Sequence, residues 1–143
     1  MNVLCVCTGN ICRSPMLEYL LRQELEKRGL THITVTSAGT DTIDDMPASE
    51  HAVTVMDEVG IDLTVHRSRQ MTQAIADDTD VCVVMTPQHG VIAALYFGID
   101  PEAIVIPGEG IPDPFGGSVK QYRQCRDALA AALDQVIEEI ESR

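Results

Sequence analysis

Positive charge is scarce in this sequence: 10 lysines and arginines stand against 22 aspartates and glutamates, a formal net charge of −12. Nucleic acids and anionic membrane surfaces both demand basic patches, so neither is an expected partner. The same balance denies the chain long-range attraction for negatively charged partners, so any anion it binds must be held locally. No apolar run approaches the ~20 residues that cross a bilayer. Too few residues precede the first apolar run to form a secretory leader. The dinucleotide fingerprint G-x-G-x-x-G is missing, as are G-K-[ST], the G-x-S-x-G elbow and the H-E-x-x-H metal helix.

Metal sites lack material too. No carboxylate cluster suggests magnesium. Cys5, Cys7 and Cys12 have neither C-x2-C spacing nor a second cluster to complete a zinc shell. No metal or other cofactor is expected. The cysteines number 5, an odd count, and Cys5 and Cys82 lie inside apolar runs where a thiol acts as a small core residue. A reduced, cytoplasmic setting fits better than a disulfide framework.

What the chain does contain is alternation. Short Val/Ile-rich runs alternate with longer helical patterns, the signature of an α/β fold with a parallel sheet. At 143 residues and 45% hydrophobic content it fits one domain over 1–143, large enough to bury its own core. The expected architecture is three-layered, a four-stranded parallel sheet with helices on both faces. Strands are expected at 2–7, 33–37, 80–85 and 103–106. Helices are expected from Pro15 to a stop at Gly29, from Pro47 to a stop at Gly60 with Ala52, Val55, Met56 and Val59 on one face, over 71–76, and from Pro87. A final helix capped by Ser118 carries Tyr122, Cys125, Leu129, Leu133, Val136, Ile137 and Ile140 as one buried stripe.

In open α/β sheets, ligands bind beyond the carboxyl ends of the strands. Cys7 closes the first expected strand, Ser37 the second, and the Pro- and Gly-rich segment 107–117 with Asp113 follows the last. Connectivity alone brings these three together.

The first of them carries the strongest signal: Cys7-Thr8-Gly9-Asn10-Ile11-Cys12-Arg13-Ser14-Pro15, between a strand and a helix. A chain bent that way points consecutive N–H groups inward and opens onto a helix N-terminus, which favours anions and a thiolate at Cys7. Arg13 offers a planar fork that matches two oxygens of a phosphate. Each residue has a bland reading: Cys7 as the end of a core strand, Arg13 as a solvated arginine, Asp113 as the start of a turn. Their combination favours an enzyme over a phosphate-sensing or phosphoprotein-binding module, which would need neither nucleophile nor proton donor.

This pattern resembles the low-molecular-weight protein tyrosine phosphatases, whose signature also lies near the N-terminus. Ser37-Ala38-Gly39-Thr40, His66-Arg67-Ser68-Arg69 and Asp113-Pro114-Phe115 extend the resemblance across the chain. It implies a phosphocysteine at Cys7, a phosphate cradle of Thr8, Gly9, Asn10, Ile11, Cys12, Arg13 and Ser14, and Asp113 as general acid. It also implies a supporting network of Asn10, Ser14, Ser37 and His66, and a redox role for Cys12 beside the nucleophile. The partners implied are phosphorylated proteins.

Departures from the family pattern bear on substrate. At the positions that usually form an aromatic wall stand Ile43, then Phe115 followed by Gly116. The segment Asp113-Pro114-Phe115-Gly116-Gly117-Ser118 is similar to the related protein-arginine phosphatases, but those carry Thr where this chain has Ile11, which points back to phosphotyrosine. Thioredoxin-linked arsenate reductases need a further redox cysteine pair, which Cys82 and Cys125 do not form.

Overall fold

A computed structural model describes all 143 residues. The first apolar run forms β1 (Asn2–Cys7), with five consecutive buried residues, as a strand covered on both faces must have. It lies between β2 (Thr34–Gly39) and β3 (Val81–Val84), and a short β4 (Ile104–Val105) completes the order β2-β1-β3-β4. Every pairing is parallel.

The strand period of two then sorts side chains into two cores. Val3, Cys5 and Cys7 face the larger one, with α1 (Arg13–Lys27), α2 (Glu50–Asp57), α5 (Val119–Ala131) and α6 (Leu133–Glu141). Leu4 and Val6 face the smaller, with α3 (Gln73–Asp77) and α4 (Pro87–Phe97). The three-layer architecture expected from the sequence is the one observed. Cys5 and Cys82 are both fully buried, on opposite faces of the sheet.

Several boundaries differ, each for a physical reason. Pro47 does not open a helix; it bridges to Arg67 in extended backbone, and α2 starts three residues later behind Ser49. Val59 lies past the end of α2 and is exposed. The helix expected at 71 starts at Gln73, because Thr72 is its N-cap and accepts a hydrogen bond from the Ile75 N–H, leaving Met71 as a buried residue before it. The single long C-terminal helix is two, α5 and α6, meeting at Ala132. A 3-10 turn over Pro101–Ala103 shortens β4. Finally, β2 runs on to Gly39, opposite Cys7, so Ser37 stands inside the strand rather than at its end.

Candidate active site

The segment from Cys7 to Arg13 wraps around the carboxyl end of β1, and its carbonyl groups are held from outside. Thr40 N–H donates to Cys7 O (2.9 Å), Asp41 N–H to Thr8 O (3.1 Å), Ser49 N–H to Ile11 O (2.9 Å) and Met16 N–H to Cys12 O (3.2 Å). The His66 ring reaches Asn10 O at 2.7 Å. Planar trans peptides place each N–H opposite its carbonyl, so the intervening amides turn inward. No side chain caps the start of α1, which leaves its first N–H groups free for an anion.

Asn10 is the keystone of this loop. It is fully buried and adopts φ = 55°, the left-handed conformation that asparagine tolerates better than most residues. Its Nδ2 donates both protons, to Ser14 Oγ at 2.8 Å and Ser37 Oγ at 2.9 Å, and its Oδ1 accepts the Arg69 N–H at 3.0 Å. Donor counting then fixes the direction of the chain. Ser37 Oγ, accepting from Asn10, donates to Glu18 Oε1 at 2.6 Å. Ser14 Oγ, also accepting from Asn10, has its own proton free for Cys7 Sγ, 2.9 Å away. The Asn10 N–H adds a second donor to the sulfur at 3.3 Å. A buried carboxylate thus anchors a line of hydroxyls that ends on the thiol.

Arg13 is 5% exposed. Its Nη1 donates to Ile111 O at 2.9 Å, and its Nη2 lies 3.6 Å from Asp113 Oδ2. Asp113 is half exposed and its Oδ1 accepts the Phe115 N–H at 3.0 Å, an Asx turn that sets the carboxyl's direction. Cys7, Thr8, Gly9, Ile11, Cys12, Arg13, Asp113 and Phe115 line one open cleft of about 210 Å³. Sulfur, guanidinium and carboxyl therefore share a single space the size of a small anion and its attached group.

Of the other expected residues, His66 joins the loop through Asn10. Burial holds its pKa below the usual histidine value, against the pull of the Asn10 carbonyl, so the neutral ring donates from Nε2. Cys12 lies in the cleft with Sγ at 3.3 Å from both Ser49 Oγ and the Tyr122 hydroxyl; burial raises its thiol, the two hydrogen bonds partly offsetting this. Ile43 does not line the cleft. It sits 73% exposed in the loop after β2, its carbonyl accepting from Ser68 Oγ at 2.6 Å.

Sequence reasoning missed Glu18, Arg69 and His89. Glu18 is an acid on the buried face of α1, four residues after Ser14, and that misplacement in an apolar stripe was the available signal. Arg69 binds Ser37 O through Nε at 2.8 Å and Thr36 Oγ1 through Nη2 at 2.9 Å, tying β2 to the loop. It stands in the segment from His66 to Arg69 that carries the resemblance, which gave it no role of its own. Gly39 has a role that its segment does not announce. A Cβ there would lie 2.5 Å from Thr8 O, so the loop passes where only glycine fits.

A cysteine, a turn of inward amides, an arginine fork and a carboxyl in one cleft are the parts that a cysteine-dependent phosphatase requires. The chain belongs to the family whose model is described as low molecular weight phosphotyrosine protein phosphatase, which matches residues 2–143. It is 36% identical to a protein-arginine-phosphatase of Bacillus subtilis (strain 168), over 98% of this chain and 97% of the relative. It is 34% identical to the low molecular weight protein-tyrosine-phosphatase Etp of Escherichia coli (strain K12), over 90% of this chain and 82% of the relative. Among solved structures it is similar to the YwlE arginine phosphatase in a serine-for-cysteine mutant with a phosphorylated active-site serine: TM-score 0.91, 34% identity, 99% of this chain and 96% of that one.

Proposed function

We propose that the protein hydrolyses protein phosphotyrosine through a phosphocysteine at Cys7. The observation that carries this is the sulfur held by Ser14 Oγ and the Asn10 N–H inside a cleft shared with Arg13 and Asp113. The sulfur, as thiolate, attacks phosphorus; inward amides and the Arg13 fork take the phosphoryl oxygens and the charge that grows on them. As the P–O bond breaks, Asp113 gives its proton to the leaving oxygen. Asp113 then removes a proton from water, whose oxygen attacks phosphorus. The S–P bond breaks and the electron pair returns to sulfur, where the Ser14 and Asn10 donors receive it. The phosphorylated serine that replaces the cysteine in the YwlE structure supports a covalent intermediate at the matching position.

Ile11 supports the aryl substrate, since it presents hydrocarbon at the cleft beside Phe115. Phosphoarginine is the second reading, favoured by the arginine phosphatase relatives and by the segment from Asp113 to Ser118. Turnover of para-nitrophenyl phosphate tests the reaction class. A comparison of phosphotyrosine and phosphoarginine peptides tests the substrate, with Ile11→Thr expected to move the preference roughly 10-fold toward phosphoarginine. A wild-type protein that acts only on phosphoarginine would overturn the first reading.

Cys12 completes the proposal as a redox guard. Peroxide oxidises the Cys7 thiolate to a sulfenic acid, and the Cys12 thiol condenses with it, releasing water and leaving a disulfide that cellular thiols reduce. Five unpaired cysteines fit a reducing, cytoplasmic setting.

A further inference from the structure

A second line of side chains reaches the phosphate loop from the opposite side. Thr86 is the N-cap of α4, its Oγ1 accepting the His89 N–H at 3.3 Å. The His89 ring, 5% exposed, is held at both nitrogens: Nδ1 lies 2.8 Å from Thr86 Oγ1, and Nε2 lies 2.8 Å from Thr8 Oγ1. Burial and the nearby Arg13 charge, against a weaker opposing pull from Asp113, bring its pKa down to about 4. The ring is therefore neutral near pH 7, with one N–H and one lone pair to distribute.

Two arrangements satisfy it. With the proton on Nδ1, Thr8 must give its only hydroxyl proton to Nε2 and turns lone pairs toward the cleft. With the proton on Nε2, Thr86 donates to Nδ1 while still accepting the His89 N–H, and Nε2–H donates to Thr8 Oγ1. The Thr8 proton is then left over. Thr8 is solvent-exposed and lines the same cleft as Cys7 and Arg13, so that proton has an anion to meet. An oxygen lone pair aimed at a phosphoryl group is repelled, while an O–H aimed at it is a charge-assisted donor.

We propose that His89 is a positioning residue that, as the Nε2–H tautomer, turns the Thr8 hydroxyl proton toward the phosphoryl group, making Thr8 a substrate-binding side chain. Its backbone lies in the cradle; the hydroxyl is an additional donor that the loop's own network neither supplies nor orients. The Thr86–His89 pair also ties the loop to the N-terminus of α4, across the sheet from the Glu18 line. The inference rests on the phosphatase reading above.

The test combines kinetics with a spectroscopic readout. Competitive inhibition by inorganic phosphate is measured for wild type, Thr8→Val, Thr8→Ser and His89→Phe, with para-nitrophenyl phosphate as substrate. Thr8→Val is expected to raise the inhibition constant about 5- to 10-fold, the effect of one donor to a charged group, and Thr8→Ser to recover most of that. His89→Phe should produce a similar loss in the wild-type background and little further loss with Thr8→Val present. Nitrogen-15 shifts of the wild-type His89 ring should show Nε2 protonated and Nδ1 bare, which remains decisive if His89→Phe fails to fold. Unchanged phosphate inhibition in Thr8→Val, multiplicative losses in the double variant, or a proton on Nδ1 would each overturn the proposal. Absence of any wild-type turnover would instead remove the phosphatase reading, leaving the tautomer measurement to stand or fall separately.

Discussion

The guanidinium of Arg13 stands 3.6 Å from the carboxylate of Asp113, although the two residues arrive from opposite ends of the chain. Arg13 is fixed by Ile111 O, two residues before the acid, so guanidinium and carboxyl are held to the same loop. Arg13→Lys keeps the charge but loses the fork and the Ile111 bond. Asp113→Asn keeps the shape but loses the proton. Each variant is expected to lower kcat on an aryl phosphate by about 10²- to 10⁴-fold. Asp113→Asn should lose much less on substrates with acidic leaving groups, which need no proton. Stopped assays across a series of substituted phenyl phosphates would check this, and equal losses across the series would refute the acid role.

Removing one hydroxyl should harm the loop from a distance. Ser37→Ala takes the acceptor from Asn10 and the donor from the buried Glu18 carboxylate at once. Leaving buried polar groups unpaired costs about 1–3 kcal/mol, so the denaturation midpoint should fall and alkylation of Cys7 by iodoacetate should slow. A variant with wild-type stability and thiol reactivity would show that the line of hydroxyls does not govern the sulfur.

Peroxide offers a cleaner separation of the two cleft thiols. Burial raises the Cys12 thiol above its ordinary value, so Cys12 is expected to act as the resolving partner and not as the first target. Wild-type protein treated with peroxide should regain activity with dithiothreitol, whereas Cys12→Ser should be lost irreversibly through further oxidation of Cys7. Raising the pH should speed disulfide formation, since resolution needs the Cys12 thiolate. Equal recovery in both proteins would exclude the guard.

Acid should weaken the fold as its buried histidines take up protons. His66 and His89 both bind protons less readily when folded than when unfolded, His89 with a folded pKa of about 4. The unfolded chain therefore takes up more protons below pH 6.5. Stability is complete above that value and declines toward pH 4, with His89 contributing about 2 kcal/mol after allowance for solvent screening. Urea midpoints at pH 7.5, 6 and 5 should fall in that order, and the fall should be shallower in His89→Gln. Glu58, held down to about 2 by Arg123 and Arg126, takes up its proton near pH 4.5 in the unfolded chain, so its contribution starts to fall only at the acid end of this window.

The residues that share the cleft were legible in the sequence because they are contiguous or carry unusual neighbours: Cys7 to Ser14 is one stretch, and Asp113 lies between two prolines. The sheet was legible because alternate apolar positions fill two cores. What escaped was tertiary. Glu18, Arg69 and His89 matter because α1, the loop before α3 and α4 bring them against Ser37, Asn10 and Thr8, and only Glu18 carries a local sign of it, as an acid in an apolar stripe. The break at Ala132 escaped for a different reason: α5 and α6 bury faces with a shared helical period, and a one-residue interruption leaves that period nearly intact. Pro47 misled because a proline that suits a helix start also suits extended backbone, and pairing with Arg67 decided between them.

Gly39 gives the nucleophile's surroundings an unexpected author. Its missing side chain lets the Thr8 carbonyl pass within a distance that one methyl would occupy, so the curvature of the reactive turn is moulded by the neighbouring strand. Adding that methyl would leave every reacting group in place and still spoil the mould in which they are cast.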